Sequence, residues 1–260
     1  IIKSDCKVIL SKQDSEASTA IRRSNIFNNE IIEFAQNFSI EKKEDGLVFS
    51  CNFFDNNTFL SNYFSGQELK LTKPKNLSQP HQIENLATAI ATIISCNIKV
   101  NFADLNIGIS EAYWPARLEK IGSGFLYNKI PSKFNFELVL DGGHNPAAGK
   151  QIAKFLEKNA SKNIIIIFSM LANKDHLQYL NHIKSKFNQL IYCPITNTET
   201  LKFDKVKMAV GDNNVSESGS ITDSIVNASR YMSTERENLV LICGSLYLAG
   251  EFLSLNQPQL

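Results

Sequence analysis

The chain has 260 residues, 43% of them hydrophobic and 20% charged, an ordinary globular composition with room for one large domain or two smaller ones. Lysines and arginines total 27 against 26 aspartates and glutamates, a net charge of +1, so nothing indicates a nucleic-acid surface. No apolar run approaches the roughly 20 residues of a membrane span, which argues against a membrane partner.

The chain opens on Ile1-Ile2-Lys3-Ser4-Asp5, without an initiator Met or a signal-peptide pattern, and reads as an internal segment or as a product with an unusual start. Lys7–Leu10 reads as a buried strand. Residues Ser15 to Phe38 carry a helical pattern, with Ile26, Phe27, Glu30, Ile31 and Phe34 at near-helical spacing. Leu47–Cys51, Phe59–Phe64 and Glu68–Leu71 read as strands, the last two separated by Ser65-Gly66. A helix is expected over Gln82–Cys96, where Ile83, Leu86, Ile90, Ile93 and Ile94 share a face, and a short one over Phe102–Ile107. Trp114-Pro115 then breaks the pattern, because the residue before proline is pushed to extended geometry. A domain boundary is expected here, dividing residues 1–113 from 114–260.

Beyond it, apolar runs alternate with helical segments. Strands are expected at Phe136–Leu140, Ile164–Phe168, Leu190–Cys193 and Leu239–Cys243, with a weaker candidate at Val206–Val210. Helices are expected at Pro146–Lys158, Lys174–Lys186, Ser220–Met232 and Leu246–Leu253. Apolar strands alternating with helices predict an α/β domain, a mostly parallel sheet with helices on both faces. Such sheets take ligands beyond the carboxyl ends of their strands, so the strand-to-helix turns are the places to search.

Three turns qualify. Leu140-Asp141-Gly142-Gly143-His144-Asn145-Pro146 ends a strand on a carboxylate, turns tightly through two glycines, and opens a helix on an asparagine cap and a proline. Free N–H groups at that helix start suit an anion. A well-capped turn without a ligand would need neither Asp141 nor His144, and those two residues favour a site. In Ile242-Cys243-Gly244-Ser245-Leu246 and Ser169-Met170-Leu171-Ala172-Asn173-Lys174-Asp175, a plain N-cap serine and a solvated lysine account for Ser245 and Lys174 on the residues alone. Arg117 lies just beyond the boundary, where a guanidinium could bridge through an anion or form a surface ion pair. Among the four histidines, His144 alone occupies a promising turn. The five cysteines (Cys6, Cys51, Cys96, Cys193, Cys243) are scattered without a CxxC pair, so they read as buried hydrophobes in a reducing compartment, not as zinc ligands or disulfides. No GxxxxGK[ST] phosphate loop occurs in the chain, and no GxGxxG follows a strand.

Taken in order, these segments resemble the folylpolyglutamate synthase / dihydrofolate synthase family of the Mur ligase superfamily. Leu140–Pro146 (LDGGHNP) is similar to the family's LDGAHNP, and Trp114–Arg117 (WPAR) to its WPGR. His81–Asn85 (HQIEN) resembles HQ-x-x-NA, Met170–Asp175 (MLANKD) resembles MLADKD, and Gly244–Glu251 (GSLYLAGE) resembles GSLYLVGE. Ile1-Ile2-Lys3 is similar to the tail of the family's EKAGIIK. The resemblance implies a truncated Mur-ligase central ATPase domain over residues 1–113 and a Rossmann-like ligase domain over 114–260. It also implies a cytoplasmic ligase in which ATP phosphorylates a folate carboxylate and the amine of L-glutamate attacks the acyl phosphate.

By motif, Asn85, Arg117 and Asp141 would face ATP at the adenine, phosphates and ribose, and His144 would stand beside the reacting phosphate. Lys174 and Ser245 would meet the incoming glutamate, by position only. The chain departs from the family at Ala116, Gly143 and Leu86, the last replacing the alanine after Asn85. The family's phosphate loop, magnesium ligands and modified lysine would lie before Ile1, so no metal ligand is assigned within this chain. ATP and Mg2+, a folate or dihydropteroate, L-glutamate and an upstream segment are the implied cofactors and partners. A non-catalytic binding module or remnant of such a ligase stands as the alternative.

Overall fold

The computed structural model describes residues 2–53, 59–75, 77, 80–196, 198–211 and 213–257; Ile1 of the opening match lies outside them. The chain forms two compact units, Ile1–Trp114 and Pro115–Leu260.

In the first unit, β1 (Val8–Leu10) pairs in parallel with β2 (Ile31–Glu33) across α1 (Ser15–Ser24). The helix starts where Asp14 accepts the Ala17 N–H at 2.8 Å. The helical pattern expected to reach Phe38 stops at Ser24. Asn25 ties its side chain to both backbone groups of Asn29 (2.8 and 3.1 Å), and Asn28 adopts a left-handed φ of 52°. Ile26 and Phe27, which the helical pattern included, lie beyond the helix and are exposed.

An antiparallel sheet of order β3-β4-β6-β5 follows, built from β3 (Phe38–Lys42), β4 (Leu47–Cys51), β5 (Phe64–Ser65) and β6 (Glu68–Leu71). Alternation sends Leu47, Phe49, Leu69 and Leu71 inward. The strand expected over Phe59–Phe64 is instead a 3-10 turn (Ser61–Tyr63) leading into a two-residue strand. Leu60 is buried while Phe59 and Tyr63 are exposed, so the apolar residues do not alternate as a strand requires. Helices α2 (Pro80–Ser95) and α3 (Phe102–Glu111) contribute Ile83, Ile90, Ile94, Leu105 and Ile109 to the same core.

The second unit is a six-stranded sheet of order β11-β10-β9-β12-β8-β7. Its strands are β7 (Arg117–Ile121), β8 (Phe136–Asp141), β9 (Asn163–Phe168), β10 (Gln189–Tyr192), β11 (Val215–Glu217) and β12 (Asn238–Cys243). All neighbours are parallel except β7, which runs antiparallel to β8. Between and after them come α4 (Pro146–Lys158), α5 (His176–Ile183), α6 (Phe203–Val210), α7 (Ile221–Ala228) and α8 (Leu246–Leu255). Ile164, Ile166 and Phe168 share a core with Ile152, Leu156, Leu180 and Val206 of α4–α6. Ile165 and Ile167 share the other core with Ile225, Leu248 and Phe252 of α7 and α8. Burial on both faces is what the uninterrupted run Asn163–Phe168 requires, each isoleucine contributing about 1.5–3 kcal/mol.

The expected strand at Val206–Val210 is the second half of α6. Phe203, Val206 and Val210 recur at helical spacing with Val206 buried, and Gly211 ends the turn at φ 95°. The strand at the edge beside β10 is β11, too short for its pattern to register in the sequence.

Candidate functional site

In the strand order, β12 lies between β9 and β8, and these are the three strands whose following turns carry the motifs. The helix after β12 covers one face of the sheet, while those after β8 and β9 cover the other. This is the place where a doubly wound sheet opens a crevice beyond its strand ends.

Direct contacts tie the three turns together. Ser169 N–H donates to the Cys243 carbonyl at 3.2 Å. A Cβ on Gly244 would collide with the Ser169 carbonyl oxygen and lie 2.5 Å from Phe168 Cε2, and its φ is 99°. A Cβ on Gly142 would collide with Leu246, the first residue of α8. One on Gly143 would lie 2.5 Å from Ala148 Cβ and 2.8 Å from Asp141 Oδ1. Gly142 and Gly244 are thus needed for the approach of the turns to one another, and Gly143 for the closing of its own turn onto α4.

Asp141 is 8% exposed, and its carboxylate is held by the backbone: Oδ1 accepts the Gly143 N–H at 2.8 Å and Oδ2 the Leu118 N–H at 3.0 Å. His144 is half-buried, with Nδ1 3.3 Å from the Gly142 carbonyl. Asn145 caps α4 by accepting the Ala148 N–H at 2.8 Å, with Pro146 in the first turn. Ser245 is buried and caps α8 through the Tyr247 N–H at 3.1 Å. Lys174 is half-buried in the turn that leads to α5, and it forms no ion pair among the described residues.

Arg117 begins β7 opposite Asp141, also without an ion pair among the described residues. The second unit therefore brings Asp141, His144 and Ser245 onto neighbouring turns and sets Arg117 beside the first of them. Asn85 belongs to the other unit, on the exposed side of α2.

Several participants were not visible in the sequence. The Ser169 hydroxyl is fully buried and has no hydrogen-bond partner among the described residues. Phe168 and Met170 belong to the α4–α6 core, so alternation turns Ser169 to the opposite face. Tyr179 of α5 meets the Cys243 thiol behind Asp141. Burial pushes the Tyr179 hydroxyl well above its ordinary range, and burial raises Cys243 to about 12, with the Asp141 charge adding to both. Glu119, which accepts the Ala116 N–H at 2.8 Å, is a further case. Among the described residues no group of three or more His, Cys, Asp or Glu is arranged to hold a metal ion.

The fold and the clustered turns define a Rossmann-like α/β domain with its candidate site at the carboxyl ends of β8, β12 and β9. Residues 127–255 match the family model described as the dihydrofolate synthetase C-terminal domain. The folylpolyglutamate synthase of Lacticaseibacillus casei is 28% identical over 175 residues, covering 65% of this chain and 37% of that protein. The dihydrofolate synthetase of Saccharomyces cerevisiae is 21% identical over 198 residues, covering 71% and 46%. The structure of E. coli FolC in complex with DHPP and ADP superposes with a TM-score of 0.72 at 17% identity, covering 97% of this chain and 53% of that one. Residues 127–255 thus belong to the dihydrofolate synthetase C-terminal domain family, and the chain is similar to folylpolyglutamate and dihydrofolate synthases over about two thirds of its length. It spans less than half the length of these two curated relatives.

Proposed function

We propose that the chain is the carboxy-terminal part of an ATP-dependent amide ligase that joins L-glutamate to a folate or a dihydropteroate in the cytoplasm. In this reading, residues 114–260 form the ligase domain and residues 1–113 the later half of the ATP-binding domain. The observation that carries it is the meeting of LDGGHNP, MLANKD and GSLYLAGE at adjacent strand ends, although they lie far apart in the chain.

ATP supplies the γ-phosphoryl group that activates the acceptor carboxylate as an acyl phosphate. The chain's own residues contribute position and charge, the main sources of catalysis in phosphoryl and acyl transfer. Arg117, half-buried and without an ion pair among the described residues, offers a rigid fork of donors to phosphate oxygens. Asp141 keeps its turn rigid through two backbone N–H groups and is the candidate for the ribose. His144, beside that turn, is placed to stabilise charge or move a proton at the reacting phosphate. Lys174 and Ser245 are the candidates for the carboxylates of the incoming glutamate, and Asn85 for the adenine. Magnesium would be held by residues of an upstream segment that also carries the phosphate loop.

The test uses the purified chain with ATP, a reduced folate and glutamate. The chain alone is expected to release no ADP. Adding the upstream segment of a family member in trans is expected to restore glutamate-dependent ADP release. Turnover by the pure chain would overturn the assignment of the phosphate site. An upstream segment that binds but yields no product would favour a non-catalytic module.

A further inference from the structure

The register between β7 and β8 slips at one point: Arg117 pairs with Asp141, but Glu119 pairs with Leu140, so Leu118 is an extra residue in a β-bulge. Both residues flanking Arg117 are left-handed, Ala116 at φ 56° and Leu118 at φ 51°. Neither is a glycine, and a left-handed conformation is unfavourable for each of them. Something must hold the bulge, and the structure shows three hydrogen bonds that do so. Gly142 N–H donates to the Ala116 carbonyl at 2.8 Å, and Leu118 N–H donates to Asp141 Oδ2 at 3.0 Å. Ala116 N–H donates to Glu119 Oε2 at 2.8 Å.

Ala116 is 2% exposed, so water cannot readily replace the carboxylate of Glu119 as its acceptor. Arg117 leaves the backbone between these two constrained residues, and its direction follows from theirs. The strand's own ladder cannot supply this constraint, because a bulge interrupts it.

We propose that Glu119 is a positioning residue: through the Ala116 N–H it holds the left-handed bulge that aims Arg117. The value of that aim rests on the reading above, in which Arg117 meets the phosphates of a nucleotide; the bulge itself does not.

The experiment uses the full chain, with ADP as the probe, in wild type, Glu119→Ala, Glu119→Gln, Arg117→Ala and the Glu119→Ala/Arg117→Ala double variant. Amide hydrogen exchange reads the bulge, and the shift of the Arg117 guanidinium resonance with ADP reads its aim. Glu119→Ala is expected to speed exchange at Ala116 and Leu118 about tenfold, while Glu119→Gln, whose amide oxygen still accepts, stays near wild type. ADP binding, on the order of millimolar, is expected to weaken in Glu119→Ala and in Arg117→Ala, with no further loss in the double variant. A merely structural role would give additive losses.

Unchanged exchange at Ala116 and Leu118 in Glu119→Ala overturns the proposal, as does an ADP effect that persists in the Arg117→Ala background. If wild type shows no response to ADP, the nucleotide reading of Arg117 fails, while the exchange measurement still decides the role of Glu119. Should Glu119→Ala fail to fold, Glu119→Asp, which keeps the charge but shortens the reach, provides the same comparison.

Discussion

Replacing Gly244 by alanine tests whether the three turns are held together by close backbone approach. Two costs are expected. The backbone at φ 99° is strained for any residue with a side chain, at about 1–3 kcal/mol. The new methyl would also be driven against the Ser169 carbonyl oxygen and to 2.5 Å from Phe168 Cε2, an overpacking worth about 1–3 kcal/mol. Gly211→Ala separates the terms, because Gly211 has φ 95° but, among the described residues, no heavy atom within 4 Å of its would-be Cβ. Both residues belong to the second unit, so one probe serves both: native-state hydrogen exchange of the β9 and β12 amides. Gly211→Ala is expected to lower their opening free energy by about 1–3 kcal/mol, and Gly244→Ala by about 2–6 kcal/mol. Equal losses in the two variants would mean that the turns do not press on one another, and the cluster at the strand ends would lose its structural basis.

Three further outcomes follow from groups near the same sheet. Ser169→Ala removes a buried hydroxyl that has no partner among the described residues, and is expected to stabilise the unit by about 1 kcal/mol in urea titration; a loss of that size would show that the hydroxyl is satisfied in solution. Glu137 is half-buried, and burial pushes its carboxyl up, but hydrogen bonds from Lys120 and from Lys162 (2.7 Å) outweigh this and leave it below its ordinary value. A carboxyl depressed in the folded state stabilises above its unfolded value and loses that contribution as pH falls through the folded one. Glu137→Gln should therefore flatten the decline in urea midpoint below about pH 4, and an unchanged decline would remove Glu137 from the acid transition. Burial raises Cys193 to about 11 and Cys243 to about 12, whereas Cys96 is exposed. Iodoacetamide at about pH 8 should label Cys96 in the native protein and reach Cys193 and Cys243 only on unfolding; native labelling of Cys243, read by peptide mass, would contradict its burial.

The sequence alone determined the elements that carry the candidate site. The uninterrupted apolar runs at β8, β9 and β12 could be buried only as strands covered on both faces, and Asn145 and Ser245 mark the starts of α4 and α8 by local capping chemistry. These signals are short-range, so no knowledge of the fold was needed to read them. They misled where a pattern was short or where asparagines turned the chain, as at Ser15–Phe38 and Val206–Val210. Only the tertiary structure decided which turns are neighbours. By inserting β12 between β9 and β8, it set Ser245 between the turns of His144 and Ser169. The bulge that aims Arg117, the burial of Asp141 under its own backbone and the burial of the Ser169 hydroxyl were decided there too. The physical reason is that periodicity reports which face of a segment is apolar, whereas strand order and backbone strain depend on contacts between segments distant in the chain.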